Sequence, residues 1–124
     1  MERWFRIVLF ATAALNLGGS IAFVPSFRSL REMSGFPEAH PAYLWILAAW
    51  IFAFGVCYLW MAITESRERL FIAIGAIGKL SFFVILAIYS LTGGLPANAA
   101  LGGAGDLIFG CLFVYWLAQN KKAS

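Results

Sequence analysis

The sequence predicts an all-α integral membrane protein, a bundle of four antiparallel helices that span the bilayer. Hydrophobic residues make up 62% of the 124 residues and charged residues only 12%. The mean hydropathy of +0.83 lies far outside the range of soluble domains. Apolar runs recur four times at a length that crosses a hydrocarbon core of about 30 Å. A soluble domain of this size could not cover so much apolar surface.

The four spans lie at residues 7–24, 42–63, 70–91 and 97–118, in a single transmembrane domain that covers residues 1–124. The first span resembles a secretory signal, because a basic start precedes it and Ser20-Ile21-Ala22 resembles a cleavage site. Its apolar run continues to Val24, which is long enough to span, so we expect it to be retained. Because the later connections are short, spans two, three and four are expected to run antiparallel.

The basic residues predict the orientation, since Lys and Arg near a span resist translocation. Only Arg28 and Arg31 fall on one side. The opposite side holds Arg3, Arg6, Arg67, Arg69, Lys121 and Lys122. We therefore expect both termini to be cytoplasmic, and the protein to reside in a plasma membrane, namely the inner membrane of a bacterium.

The first outer loop is long enough to hold a short helix of its own. Phe27, Leu30 and Met33 recur at helical spacing, Pro25 precedes them as a helix start, and Gly35 follows as a stop. This pattern predicts a short amphipathic helix at the outer membrane interface. An irregular extracellular lid is the alternative.

Three polar residues fall at the same depth in three different spans. Asn16, Lys79 and Asp106 each lie nine residues into their span. At about 1.5 Å per residue, each is about 14 Å from a membrane edge, near the middle of a core about 30 Å thick. We therefore expect the three side chains to share one layer at the midplane.

The small residues beside these charges allow helix backbones to approach closely. Gly75 lies one turn from Lys79, and Gly102 and Gly110 flank Asp106. In the structural interpretation Lys79 and Asp106 form an ion pair that Asn16 completes, and this pair fixes which helices adjoin. In the functional interpretation Lys79 and Asp106 are an acid/base pair or a polar anchor for a ligand, a substrate or a proton.

Span two carries no charge, but Trp50, Phe54 and Tyr58 follow at intervals of four residues and form an aromatic stripe. Such a stripe is typical of ordinary packing against the core or lipid. It is also suited to be a wall for a flat hydrophobic ligand. The opposite wall would then come from Phe82, Phe83, Phe109 and Phe113.

Other reactive groups are few. His40 is the only histidine and lies just before span two. It is either a solvated loop residue or an acid/base group at the outer surface. Cys57 and Cys111 lie in apolar runs without metal-ligand spacing, so we expect small buried thiols and no metal site. No cofactor or nucleophile motif is evident, and the cofactor stays unknown. The scattered basic residues argue against nucleic acid as a partner.

In size and topology the chain is similar to small four-helix membrane proteins of bacteria, including the DoxX-like group, without a diagnostic motif that matches residue by residue. The first span also lacks the glutamate of small multidrug exporters. The scarcity of catalytic groups favours a non-enzymatic protein, an accessory subunit or homo-oligomeric module of a membrane complex.

The alternative function is a membrane-embedded enzyme or binding protein for a lipophilic small molecule such as a quinone, an isoprenoid or a pigment. Lys79 and Asp106 would then act in an aromatic cavity. A proton or ion pathway ranks third, because few polar residues lie above and below the midplane. The expected partners are the lipid bilayer, other membrane subunits or further copies of this chain, and in the alternative a lipophilic ligand.

Overall fold

The structure is a computed structural model that describes residues 1–121. Lys122, which contributes to the predicted charge asymmetry, lies outside the described residues. Helices make up 79% of the described residues, which contain no strand. The helices are α1 (Arg3–Ala22), α2 (Arg28–Ser34), α3 (Pro41–Thr64), α4 (Arg69–Leu91), α5 (Ala97–Gly102) and α6 (Ala104–Gln119).

Four segments are long and apolar enough to cross a membrane, which confirms the prediction of an all-α chain with four such segments. They are α1, α3, α4 and the combined stretch Ala97–Gln119. Their outer surfaces carry many exposed large apolar side chains, including Leu70, Ile77 and Leu101. Such a surface suits contact with lipid rather than water.

The fourth segment differs from the continuous helix that the sequence predicts, because it is divided at Gly103 into α5 and α6. Glycine is a poor helix former, and Gly102 and Gly103 are adjacent. Close packing also requires small residues here. A Cβ at residue 103 would lie 3.1 Å from Leu86 Cδ1, and one at residue 102 would lie 2.9 Å from Phe36 Cζ. The absence of side chains at residues 102 and 103 therefore allows Phe36 and Leu86 to pack directly against the fourth segment.

The helices pack as two pairs, α1 along α3 and α4 along α6, while the backbones of α3 and α4 approach little. Buried apolar side chains within residues 1–121 form two clusters. The larger one includes Phe5, Tyr58 and Trp116. The smaller one is formed by Phe23, Leu44 and Ala48. A cleft between the two helix pairs remains along α3 and α4.

Polar side chains join the helices at the end of the bundle that holds Glu2 and Asn120, which we call the terminal end. Glu2 accepts a hydrogen bond from Trp116 Nε1 at 2.5 Å and forms an ion pair with Arg67. Arg6 donates to the Ala62 carbonyl at 2.8 Å. These contacts link α1 to α3, to α6 and to the connection before α4.

At the opposite end, the loop end, Arg31 is 1% exposed and organises the first loop. Its guanidinium donates to the carbonyls of Ala22, Val24 and Pro25 and to Glu38. Carbonyls after the last turn of a helix lack helical partners, and an arginine fork can satisfy several of them.

Helix α2 ends at Ser34 and is capped by Gly35, whose φ of 76° lies in the left-handed region that favours glycine. Asn98 of α5 donates to the Met33 carbonyl at 3.1 Å, so α2 and α5 are in contact. The placement of α2 at an outer membrane interface stays a prediction.

Candidate functional site

Lys79 contacts both of the other polar residues that the sequence places in its layer, Asn16 and Asp106. Its Nζ lies 2.8 Å from Asn16 Oδ1 and 2.8 Å from Asp106 Oδ1. The Lys79 side chain is 6% exposed, whereas that of Asp106 is 20% exposed. The ammonium group is therefore buried, and the carboxylate is accessible from one side.

Three different helices position this layer. Asn16 of α1 also donates from Nδ2 to the Ile51 carbonyl of α3 at 3.1 Å, which orients its oxygen toward Lys79. Asp106 lies in the first turn of α6, directly after the division at Gly103. The partial positive charge of a helix N-terminus favours an acidic side chain there. The division of the fourth segment thus contributes to stabilising the Asp106 carboxylate at this depth.

Close contacts between α4 and α6 bring the pair together. A Cβ at Gly110 would lie 2.7 Å from Leu80 Cδ2, so a larger residue would displace the Leu80 side chain from this contact. Because Gly110 lies one turn after Asp106 and Leu80 adjoins Lys79, the same contact sets the separation of the charged side chains. The glycine spacing in the sequence predicts such an approach.

The layer retains hydrogen-bonding capacity that the described residues do not use. An ammonium group has three N–H donors, and Lys79 uses two of them. Its Nζ lies 5.4 Å from the centroid of the Tyr58 ring and 5.9 Å from that of Phe109. Within residues 1–121, Asp106 Oδ2 and the Tyr58 hydroxyl form no hydrogen bond.

A cavity of about 370 Å³ opens onto this layer from the cleft between the helix pairs. Drug-sized ligands occupy cavities of about 300–1,000 Å³. Its polar lining residues include Asn16, Lys79 and Asp106. Most of the remaining lining is apolar: Leu15, Gly19, Ala22, Phe23, Phe36, Leu47, Trp50, Ile51, Phe54, Gly75, Gly78, Phe82 and Gly102.

The structure brings all six sequence-predicted site residues to this cavity, since Trp50, Phe54 and Tyr58 line it together with the polar layer. Of the four phenylalanines expected in the opposite wall, only Phe82 lines the cavity. Phe113 instead packs in the larger apolar cluster against Phe5. Helical periodicity gives the face of a residue but not its neighbour, which explains this difference.

Sequence reasoning missed the contribution of the first loop. Phe23 and Phe36 stack on each other, with ring centroids 5.4 Å apart, and both line the cavity at the loop end. Phe36 also lies against Gly102 of α5. The rigid Phe36-Pro37 step was a signal, because a large apolar residue held in an extended loop is suited to cover a cavity.

The remaining candidate residues lie away from the cavity. His40 caps α3, since its Nδ1 accepts a hydrogen bond from the Ala42 backbone N–H at 3.1 Å. Cys57 and Cys111 are free thiols. Cys57 is half-buried and Cys111 is exposed, so the expectation of two buried thiols is wrong. Among residues 1–121, no group of three or more His, Cys, Asp or Glu side chains could hold a metal ion.

The cavity therefore combines aromatic walls with a polar layer that has unused hydrogen-bonding positions. Comparison of the chain with family models, with curated proteins and with solved structures finds no match.

Proposed function

We propose that this small integral membrane protein binds a lipophilic small molecule in the cavity, with the head group of the ligand against the layer of Asn16, Lys79 and Asp106. One observation carries the proposal: an apolar cavity of about 370 Å³ ends on the buried Lys79 ammonium and the partly accessible Asp106 carboxylate, which have unused hydrogen-bonding positions. Apolar sites with a few convergent polar groups are typical of ligand binding. An ion pair that served structure alone would be enclosed by packed side chains.

The cleft between α3 and α4 gives the ligand a route from the bilayer. Trp50 lines the cavity and is 63% exposed, so it stands at the mouth of this route. The ring of Phe36 covers the loop end of the cavity. Entry is therefore lateral, from lipid, which is the access that a lipophilic molecule requires.

We place the chain in the inner membrane of a bacterium, with antiparallel spans and both termini cytoplasmic. Contacts at the terminal end support this arrangement, since Arg6 of α1 meets Ala62 of α3, and Arg69 of α4 meets Leu117 of α6. The charge asymmetry supports the orientation. Helix α2 then lies at the outer interface, as a cover on the loop end.

The second candidate is an accessory subunit or homo-oligomeric module. Its support is Gly18, an exposed residue of α1 at which an added Cβ meets no atom within 4 Å. Small residues on a lipid-facing surface allow another membrane helix to approach. Ligand binding and membership of a membrane complex are compatible, because one chain can do both.

Native mass spectrometry of the protein, extracted gently from its own membrane, tests both candidates. The ligand-binding function predicts one retained small molecule per chain in the wild type. Gly78 lines the cavity and a Cβ there meets no atom within 4 Å, so Gly78→Leu fills the cavity without a backbone clash. This variant should lose the molecule, whereas Gly18→Leu, outside the cavity, should retain it.

Retention of the same molecule by Gly78→Leu would contradict the proposed site. Copurification with larger polypeptides at fixed stoichiometry, without a small molecule, would favour the subunit function. If Gly18→Leu then dissociates that complex while Gly78→Leu does not, the lipid-facing surface of α1 is the interface.

A further inference from the structure

We infer that the ligand is a neutral lipid whose head group is an aromatic ring bearing a hydroxyl group, a phenol-type head. The inference rests on the proposed function and names the chemical class that the cavity selects. Three properties of the lining residues carry it: their unused hydrogen-bonding positions, their charge and the aromatic side chains around them.

The hydrogen-bonding positions require a group that both donates and accepts. Asp106 Oδ2 can only accept, and the remaining N–H of Lys79 can only donate. The Tyr58 hydroxyl can do either. A hydroxyl on the ligand donates to Asp106 and accepts from Lys79 or Tyr58, which satisfies both sides at once. A carbonyl or an ether has no donor, so it leaves the carboxylate oxygen unpaired, and such a mismatch weakens binding.

The charges in the layer require a neutral head group. Lys79 and Asp106 carry opposite charges 2.8 Å apart, so the pair is neutral as a unit. A fatty carboxylate would add one negative charge and an alkylammonium one positive charge, and the cavity lining holds no further charged side chain to neutralise it. An unpaired charge in an apolar environment is costly, so either head group is disfavoured.

The walls favour a ring over an aliphatic alcohol. Phe54 and Phe82 line the cavity on α3 and α4, and the Tyr58 ring centroid lies 6.2 Å from that of Phe54. Aromatic rings interact favourably in offset-stacked or edge-to-face arrangements, beyond the effect of the buried area. The cleft beside Trp50 leaves an apolar tail in contact with the lipid. The ring of the ligand therefore packs between helices, and its tail extends outward.

Binding of four matched probes to the full chain in phosphatidylcholine nanodiscs tests this inference, with empty nanodiscs as the baseline for partition into lipid. The probes are 4-nonylphenol, its methyl ether 4-nonylanisole, 4-nonylbenzoate and 1-dodecanol. The phenol should bind about tenfold or more tightly than the ether, because the hydrogen bond lost is one to a charged group. The carboxylate should show no binding above the baseline, and dodecanol should bind more weakly than the phenol.

Two variants link the preference to the named groups. Asp106→Asn keeps an oxygen for Lys79 and presents an N–H donor where the free carboxylate oxygen was, so it should reduce the preference for the phenol over the ether. The double variant Lys79→Met with Asp106→Leu should abolish that preference. Gly78→Leu should abolish binding of both probes, and Gly18→Leu should change neither. If the double variant fails to fold, the comparison between Asp106→Asn and the wild type still decides.

The outcomes separate this inference from the proposed function. If the phenol and the ether bind equally and Gly78→Leu removes both, the ligand class is wrong and the cavity function stands. Phenol binding that Gly78→Leu leaves intact overturns the inference. If no probe exceeds the baseline, the class is also wrong. Retention of a natural molecule by the wild type and its loss from Gly78→Leu then upholds the proposed function on its own.

Discussion

Gly75 of α4 lies directly against the hydroxyl group of Tyr58 of α3, so that a Cβ at residue 75 would overlap the Tyr58 oxygen. Tyr58 is 1% exposed and belongs to the larger apolar cluster, so its ring has little room to move. This contact joins the two helix pairs just below the polar layer. The absence of a side chain at residue 75 therefore keeps the Tyr58 hydroxyl beside the cavity.

Substitution of this glycine should destabilise the bundle through the tyrosine. Gly75→Ala is expected to lower the free energy of unfolding by about 1–3 kcal/mol, because overpacking displaces a buried ring. Adding Tyr58→Phe removes the overlapping oxygen and should recover part of the loss. Gly78→Ala is the matched control, since a Cβ there meets no atom within 4 Å. Unfolding in mixed micelles measures all four proteins, and equal destabilisation at both glycines would contradict this explanation.

Removal of one member of the Lys79 and Asp106 pair should cost more than removal of both. Lys79→Met or Asp106→Leu alone leaves an uncompensated charge, with an expected loss of about 3–5 kcal/mol. The double variant should regain most of that stability. The exposed pair of Arg28 and Glu32 is the control, and its removal should change stability by at most about 1 kcal/mol. Additive losses in the Lys79 and Asp106 series would show that the two charges do not act as a pair.

Single cysteines at the two ends should report the orientation of the chain. After replacement of Cys57 and Cys111 by serine, Ser26→Cys at the loop end should react with a membrane-impermeant maleimide in intact cells. Ser66→Cys at the terminal end should react only after permeabilisation, because cytoplasmic termini place it inside. The reverse labelling pattern would invert the proposed orientation while leaving the fold unchanged.

The first loop should loosen in acid. Hydrogen bonds from Arg31 hold the pKa of Glu38 below its ordinary value of 4.5. A group with a lowered pKa in the folded state stabilises that state above its unfolded pKa, and this contribution is lost as the pH falls through the folded value. The protection of α2 against hydrogen exchange, taken relative to the unstructured chain at the same pH, should therefore be constant from pH 7 to about 5 and fall below about 4.

Glu38→Gln is the control for this acid effect. It should lower the protection of α2 at neutral pH and make that protection nearly independent of pH in the same interval. Arg31→Lys should lower the protection at every pH, since an ammonium group cannot reproduce the guanidinium fork across three carbonyls. Equal protection of α2 in the wild type at pH 3 and pH 7 would show that the ion pair does not hold the loop.

The polar layer could be predicted from the sequence because membrane thickness provides a fixed length scale. Counting residues from the span ends places Asn16, Lys79 and Asp106 at one depth, and the structure brings these side chains into contact. In a soluble helix bundle the same count would give no depth. The aromatic residues of α3 were found by their spacing, since a stripe at intervals of four residues occupies one face.

Other parts of the site depend on contacts that no local pattern specifies. Glycines in the fourth segment are compatible with a continuous packed helix, and only the approach of Phe36 and Leu86 shows why it is divided at Gly103. Arg31 was interpreted only as a topology signal. Its burial follows from the carbonyls at and after the end of α1, whose position depends on how the loop folds. Tertiary contacts determine both the division at Gly103 and the burial of Arg31, so sequence spacing alone could not predict either.

The contact of Glu2 with Trp116 has a consequence for assembly during synthesis. These residues are 114 positions apart, so nearly the whole chain must be made before Glu2 meets this partner. Until the last segment is inserted, the first helix lacks its link to α6, and early intermediates are expected to exchange helices or be degraded more readily. The terminal end is therefore completed only after the fourth segment has entered the bundle.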